Sequence, residues 1–182
     1  MPSPTAVRVL DAALEVLGTG GIHALSHARV DATAGVPAGS TSNHFRTRAA
    51  LVAGAVQRLR ARDDANWQAM AAVGPPADPA AVAAAFTAFV DDATGPSRTT
   101  TVARYVIITQ GLVEPGLLDA LNADRQRLVG WIADACGGTG PARDILAVVE
   151  GVILHRLSGF SPEPAGPRLA ALIDAIARPH GR

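Results

Sequence analysis

The sequence predicts an all-α protein of about nine helices. Three observations lead there. Ala, the strongest helix former, supplies much of a composition that is 48% hydrophobic but only 4% aromatic. Apolar residues recur at helical spacing in one segment after another, and no stretch keeps the alternating period of a strand. Gly- and Pro-rich breakers stand between the periodic segments, at 18–21, 74–79, 95–96, 114–116, 137–141 and 161–167.

The first helix is expected over 5–17, with Val7, Leu10, Leu14 and Leu17 on one face and Gly18, Gly20 and Gly21 stopping it. The run Gly18-Thr19-Gly20-Gly21 lacks the preceding strand and the spacing of a phosphate-cradling loop, so it reads as a helix C-cap turn. Ser26 caps a second helix by accepting from free backbone N–H groups. That helix turns Val30 and Ala34 inward and ends at Gly35, which suits the left-handed conformation of a tight turn. Val36 is the apolar residue the turn buries. Pro37 is expected in the first turn of a third helix, where its fixed φ is pre-set and its missing N–H is not needed. Residues 38–44 taken alone read as a loop by propensity, with Phe45 as the apolar anchor behind them. A long fourth helix follows over 48–73, with Leu51, Val52, Val56 and Leu59 inward. Asp78 caps a fifth over 79–93, and further helices are expected over 97–112, to about 135, over 142–158 and over 167–177.

Charge is uneven along the chain. All sixteen basic residues are Arg, and the net charge is zero. Residues 1–62 carry seven Arg against Asp11, Glu15 and Asp31; residues 63–182 carry nine Arg against thirteen acids. A basic first third on an acidic remainder fits a chain that meets a polyanion with one end. The absence of Lys excludes a Walker-type phosphate loop. One cysteine, Cys136, excludes an intramolecular disulfide framework; it reads as an inert helix-terminal thiol, with a redox switch as the other reading. Charges at Arg8 and Asp11 argue against a signal peptide, and no apolar run approaches the ~18 residues of a membrane span. The expected location is the cytoplasm, with no membrane partner. No nucleophile elbow, HExxH or paired-ligand spacing is present, so no catalytic residue, metal site or cofactor is expected, and the chain does not read as an enzyme.

The segment from Ala34 to Leu51, AGVPAGSTSNHFRTRAAL, resembles the DNA-binding signature of TetR-family regulators. That pattern is a small residue, Gly, a β-branched residue, a short polar helix, an aromatic pair and a basic residue opening helix four. The resemblance covers about residues 5–60; beyond them the chain is similar only in being helical and of fitting length. It departs in four places. Pro37 stands where Ser or Thr commonly caps, Ser42 where Tyr commonly touches a phosphate, Asp31 where a small apolar residue is common, and Arg48 where Lys is common.

The resemblance implies a helix-turn-helix DNA-binding domain over 1–47 and a helical ligand-binding and dimerisation domain over 48–182. A recognition helix in the major groove reads base edges while flanking groups clamp phosphates. Ala38 and Gly39 let it approach closely, and Ser40, Thr41, Ser42 and Asn43 supply donors and acceptors. Asn43 suits the adenine edge, and the Thr41 methyl can instead face the core. Arg48, Arg46, Ser26, His27 and His44 are phosphate candidates, and Arg29 reaches a phosphate or a guanine edge. Plainer readings stand beside these: a packed His44, a solvated face at Arg46 and from Arg58 to Arg62, and a structural or exposed His23.

In the body, the 142–157 segment is apolar almost all round, which calls for a second partner surface. The resemblance implies a homodimer through the last two helices, at Leu146, Val149, Ile153, Leu169, Leu172, Ile173 and Ile176; a fully buried central helix in a monomer is the other reading. A two-fold dimer implies a near-palindromic operator with half-sites whole turns apart, ~34–36 Å each. A pocket for an unknown small-molecule effector is expected among Trp67, Phe86, Phe89, Arg104, Tyr105, Gln110, Trp131 and His155, of which the aromatics can equally be core. The function implied is a repressor released from double-stranded DNA by a small, largely apolar effector. The alternative is a helical small-molecule or partner-binding protein with a vestigial DNA head.

Overall fold

The computed structural model describes residues 3–112, 114, 116, 118–161 and 165–178. Among them are nine α-helices and no strand. The helices are α1 (Pro4–Ala24), α2 (His27–Ala34), α3 (Ser40–His44), α4 (Arg48–Val73), α5 (Pro79–Thr94), α6 (Arg98–Gly111), α7 (Asp119–Ala133), α8 (Thr139–Leu157) and α9 (Gly166–Ala177), with a 3-10 turn at Asp134–Cys136. None of them is long and apolar enough to cross a membrane.

The chain packs as two compact units, Met1–Trp67 with Thr99–Leu121, and Gln68–Arg98 with Asn122–Arg182. Residue 47, the boundary expected between DNA-binding and ligand-binding domains, lies inside the first of these units, which group the chain by shared core rather than by role. Leu51, Val52, Ala55, Val56 and Leu59 of α4, with Ala103 and Ile107 of α6, bury against the α1 face that carries Leu10, Leu14 and Leu17.

α1 starts where Ser3 accepts a hydrogen bond from the Ala6 N–H at 3.2 Å, with Pro4 at the first helical position. It does not stop at Gly18 as expected. Gly18 stays helical, and its missing Cβ lets α6 pass against it: a Cβ there would overlap the Thr99 carbonyl oxygen. The break falls at Gly21, whose φ of 71° leaves the helical region.

Ion pairs add register to this packing. Asp11 of α1 accepts from Arg58 at 2.6 Å and Arg62 at 2.8 Å, both on α4. Arg62 also donates to the Thr100 hydroxyl of α6 at 3.0 Å, and Arg104 of α6 donates to Asp63 of α4 at 2.9 Å. Arg58 and Arg62 are therefore engaged rather than a purely solvated face. Partly exposed pairs of this kind contribute only about 0–1 kcal/mol each, so their effect is on alignment more than on total stability. Burial pushes the Asp11 carboxyl up, but the Arg58 and Arg62 guanidinium groups outweigh it and hold it below its ordinary value. Its stabilising contribution is complete above the ordinary carboxylate pKa of ~3.9 and is lost as pH falls through the lower folded value.

In the second unit α5, α8 and α9 pack against one another. Asp78 caps α5 by accepting from the Ala81 N–H at 2.8 Å, as expected. Phe86 and Val90 of α5, Val129 and Ile132 of α7, Ile145 of α8 and Leu169 of α9 are all buried. Cys136 is buried too, and burial pushes its thiol up. The thiolate is the reactive form, so this environment favours the inert reading over the redox switch.

Candidate nucleic-acid interface

The corner between α2 and α3 is built by satisfying the backbone groups that helix ends leave open. Ser26 caps α2 by accepting from the Arg29 N–H at 3.3 Å. Gly35 ends α2 with φ 60° and ψ 40°, the left-handed geometry expected of it. Arg8 then reaches over from α1 and donates to the Ala34 carbonyl at 2.8 Å and the Gly35 carbonyl at 3.4 Å.

α3 is shorter than expected. Pro37 lies before it in the turn, where its carbonyl accepts from the Ser40 N–H at 3.1 Å and the Ser40 hydroxyl at 2.6 Å. Gly39, with φ 88°, is the residue at which the helix begins. The Ser42 hydroxyl folds back onto the Gly39 carbonyl at 2.9 Å.

The inner side of α3 rests on Thr41 and Asp31. Thr41 is fully buried and Asp31 is only 5% exposed. The Asp31 carboxylate accepts from the Gly39 N–H at 2.8 Å, the Thr41 N–H at 2.7 Å and the Thr41 hydroxyl at 2.5 Å. Burial raises its pKa, but these hydrogen bonds outweigh burial and hold the group below its ordinary value. Thr41, expected among the DNA contacts or with its methyl facing the core, is thus turned into the protein with its hydroxyl on Asp31.

The outer side carries the rest. Ala38, Gly39, Ser42, Asn43 and His44 are exposed, with Ser40 half-buried. Ser26, Arg29, Arg46 and Arg48 are exposed as well. His27 is half-buried, and its Nε2 lies 2.6 Å from the Phe45 carbonyl. A carbonyl only accepts, so this nitrogen donates, and the ring ties the start of α2 to the end of α3.

Arg48 already has partners. Its Nη2 donates to the Ile22 carbonyl at 2.5 Å and its Nε to the Leu25 carbonyl at 3.3 Å, closing the end of α1. Two outcomes separate a cap from a phosphate clamp. A cap predicts that Arg48→Ala lowers thermal stability by ~1.5–3 kcal/mol, the worth of a hydrogen bond from a charged group. A phosphate clamp predicts a flatter dependence of DNA affinity on salt, by roughly one counterion. We expect both from Arg48→Ala, read by calorimetry and by salt titration; an unchanged salt slope would leave only the cap.

The residues expected to line a ligand pocket divide between the units. Trp67, Arg104, Tyr105 and Gln110 belong to the first, Phe86, Phe89, Trp131 and His155 to the second. Arg104 is held by Asp63, and Gln110 donates to Glu114 at 2.6 Å. Phe86 is core, Phe89 is 50% exposed, and exposed His155 sets its ring edge-on to Phe160 at 5.8 Å. The second unit also has two cavities of about 710 and 480 Å³. The larger lies between α5 and α9, the smaller beside Cys136, and none of these eight residues lines either.

Of the residues expected at a dimer interface, Leu146, Val149, Ile153, Leu169 and Ile173 are buried inside the subunit, and Leu172 and Ile176 are half-buried. Most of the large apolar side chains of these helices fill their own core. Along the middle of α8, Arg143, Asp144, Ala147, Glu150, Gly151, Leu154 and His155 are exposed, with Val148 and Val152 half-buried.

Sequence reasoning missed Arg8 and Gly18, whose partners lie far away in the chain, and treated Asp31 only as a departure from pattern. The signal for Asp31 was present: a carboxylate beside inward-facing Val30, in a chain whose residues 37–39 offer no capping side chain.

Comparison with known proteins bears on the whole chain. Residues 9–55 match the family described as bacterial regulatory proteins, tetR family, and residues 77–179 match the tetracyclin repressor-like, C-terminal domain. No curated protein matches the chain. Among solved structures, it is similar to a TetR-family member from Streptomyces coelicolor A3, with 26% identity, TM-score 0.77 and coverage of 96% of this chain and 98% of that one. It is also similar to the multidrug binding protein EbrR complexed with ethidium, with 25% identity, TM-score 0.74 and coverage of 97% and 98%. The same protein complexed with proflavin aligns at 27% identity with TM-score 0.66, covering 94% of this chain and 99% of that one. With both family models in register and the second spanning more than half of its length, this chain belongs to the TetR family of transcriptional regulators.

Proposed function

We propose that the protein is a homodimeric repressor that binds a near-palindromic operator and is released by a small, largely apolar effector. In this reading it regulates by binding alone, without catalysis, and acts in the cytoplasm where the DNA is. The observation that carries it is the two-sided α3. Thr41 and Asp31 are buried on one side, while Ser42, Asn43 and His44 are exposed on the other beside Arg29 and Arg46. A helix whose inward side is held by hydrogen bonds and whose outward side presents short polar groups suits the major groove, with Asn43 as the adenine reader.

The effector half rests on similarity. EbrR has been crystallised with the aromatic compounds ethidium and proflavin. An aromatic effector is the corresponding class here. Repression is then relieved if the effector favours a body conformation that misplaces the two DNA heads. A coupling of ~1–3 kcal/mol lowers DNA affinity ~5–150-fold. The chain passes between the units three times, within α4, at the start of α6 and within α7, and α4, which follows α3 directly in sequence, is the route we propose for that coupling.

The test is a mobility-shift assay with the DNA flanking the protein's own gene, followed by a screen of aromatic compounds for release. Absence of a shift at low salt would overturn the DNA reading. A shift that no compound reverses would overturn the effector.

For self-association the exposed side of α8 is the proposed face: Ala147 and Gly151 permit close approach, and Leu154 adds apolar area. Ala147→Glu should then give helical monomers, because the site is exposed in the single subunit but would bury an unpaired carboxylate between two. An intact dimer by light scattering would place the interface elsewhere.

A further inference from the structure

α3 has no capping side chain of its own. Pro37, Ala38 and Gly39 offer no side-chain acceptor, and Gly39, the N-cap, has no side chain with which to cap the helix. A short helix with open N–H groups is marginal by itself, since fixing its first turn costs more than it returns. The missing acceptor arrives from another helix. Asp31 Oδ2 takes the Gly39 N–H, and Oδ1 takes both the N–H and the hydroxyl of Thr41.

We propose that Asp31 is a positioning residue for operator reading: its buried carboxylate, bonded to Gly39 and Thr41, sets the height and orientation of α3 on α2, and so the reach of Ser42 and Asn43. This rests on the DNA-binding reading given above. The geometry makes the constraint stiff. The two oxygens grip residues two apart on one turn, so α3 can neither rotate nor slide along α2 without breaking one of the bonds. All three partners are donors, which only an ionised carboxylate can serve with both oxygens. The Asp31→Asn side chain would keep the two Thr41 bonds on its single carbonyl oxygen and face the Gly39 N–H with a second donor. Asp31→Ala would keep none, leaving two N–H groups and a hydroxyl beneath the reading surface.

The experiment compares wild type, Asp31→Asn, Asp31→Ala and the double variant Asp31→Ala/Pro37→Ser. Pro37→Ser supplies an N-terminal hydroxyl acceptor from α3's own side, the usual way of capping a helix. Each protein is titrated with the operator selected from a random pool and with an unrelated duplex at the same salt. Amide hydrogen exchange is followed at Gly39 and Thr41. We expect the ratio of operator to unrelated affinity to fall about tenfold or more in Asp31→Ala, the scale of one lost base contact. Asp31→Asn should fall between, and the double variant should recover part of the loss. Affinity for the unrelated duplex should change little, because phosphate contacts do not depend on α3's tilt. Exchange at Gly39 and Thr41 should accelerate in the same order.

Equal loss on both duplexes, or an unchanged ratio in Asp31→Ala, would overturn the proposal. If Asp31→Ala does not fold, Asp31→Asn alone decides it by the same ratio. If wild type binds no DNA, the regulator reading falls. The exchange measurement still judges Asp31, and unchanged protection in Asp31→Asn and Asp31→Ala would overturn its positioning role independently.

Discussion

Gly18→Ala is expected to lower the stability of the first unit by about 1–3 kcal/mol, the range for overpacking a well-packed contact. The sign is the informative part. Gly in a helix interior is ~1 kcal/mol worse than Ala, so helix propensity alone predicts that this change stabilises. Packing reverses it. The added methyl would overlap the Thr99 carbonyl oxygen and crowd the Thr99 Cγ2. A carbonyl oxygen cannot turn aside as a side chain can, so α1 and α6 must separate. Separation would also loosen α6 from a core that includes Leu14, Leu17, Ala103 and Ile107. Gly130→Ala in α7 is the control: a Cβ there meets no atom within 4 Å, so the propensity term should stand alone and raise stability by ~0.5–1 kcal/mol. Chemical denaturation of the two variants measures both. Gly18→Ala at or above wild-type stability would mean that α6 does not lie against α1 at this point.

That glycine shows where a sequence is legible and where it is not. A glycine at the end of an apolar periodic segment signals either a stop or a close approach, and the two look alike without the partner. Thr99 is distant in the chain, so the stop was the natural reading of Gly18, while the true break came at Gly21. Local signals fared well for the same reason that distant ones did not. Ser26, Gly35 and Asp78 act on backbone groups within four residues, and each caps its helix as expected.

Charge was legible and its use was not. Arg48 and Arg58 are cations wherever they point, but Arg48 bonds the end of α1 and Arg58 bonds Asp11. Apolar periodicity marked α8 as needing contacts all round without saying which side faces its own subunit. Leu146, Val149 and Ile153 went inward, which leaves Ala147, Gly151 and Leu154 outside. The aromatic residues chosen for a pocket shared only their size, and size is satisfied equally by a core, as at Phe86. The recognition helix was read through resemblance. Propensity made 38–44 a loop, and the structure explains why both views had merit: the helix is only Ser40–His44, and it is held by Asp31 from outside its own sequence.

Phe45→Ala is expected to cost about 3 kcal/mol, the lower end of the range for truncating a large aromatic, because the ring is only partly buried. Its backbone closes the recognition helix: the Phe45 N–H donates to the Thr41 carbonyl at 2.8 Å, and its carbonyl accepts from His27. Its ring lies over Gly54 of α4, where a Cβ would come within 2.8 Å of Cε1 and 2.9 Å of Leu10 Cδ2. The side chain therefore joins the end of α3 to α4 and α1, and its loss leaves an open space under the reading helix. Affinity for the selected operator should fall with it, and by more than affinity for an unrelated duplex. A double-mutant cycle with Gly54→Ala isolates the contact. Alone, Gly54→Ala crowds the ring and Leu10 and should destabilise; with Phe45→Ala the contact with the ring is relieved and only Leu10 is left to give way. The double variant should be more stable than the sum of the single changes by ~0.5–3 kcal/mol, the scale of coupling between touching residues. Simple additivity, measured by denaturant unfolding, would show that the ring does not rest on Gly54, and the mechanical link from α3 to α4 would have to be sought elsewhere.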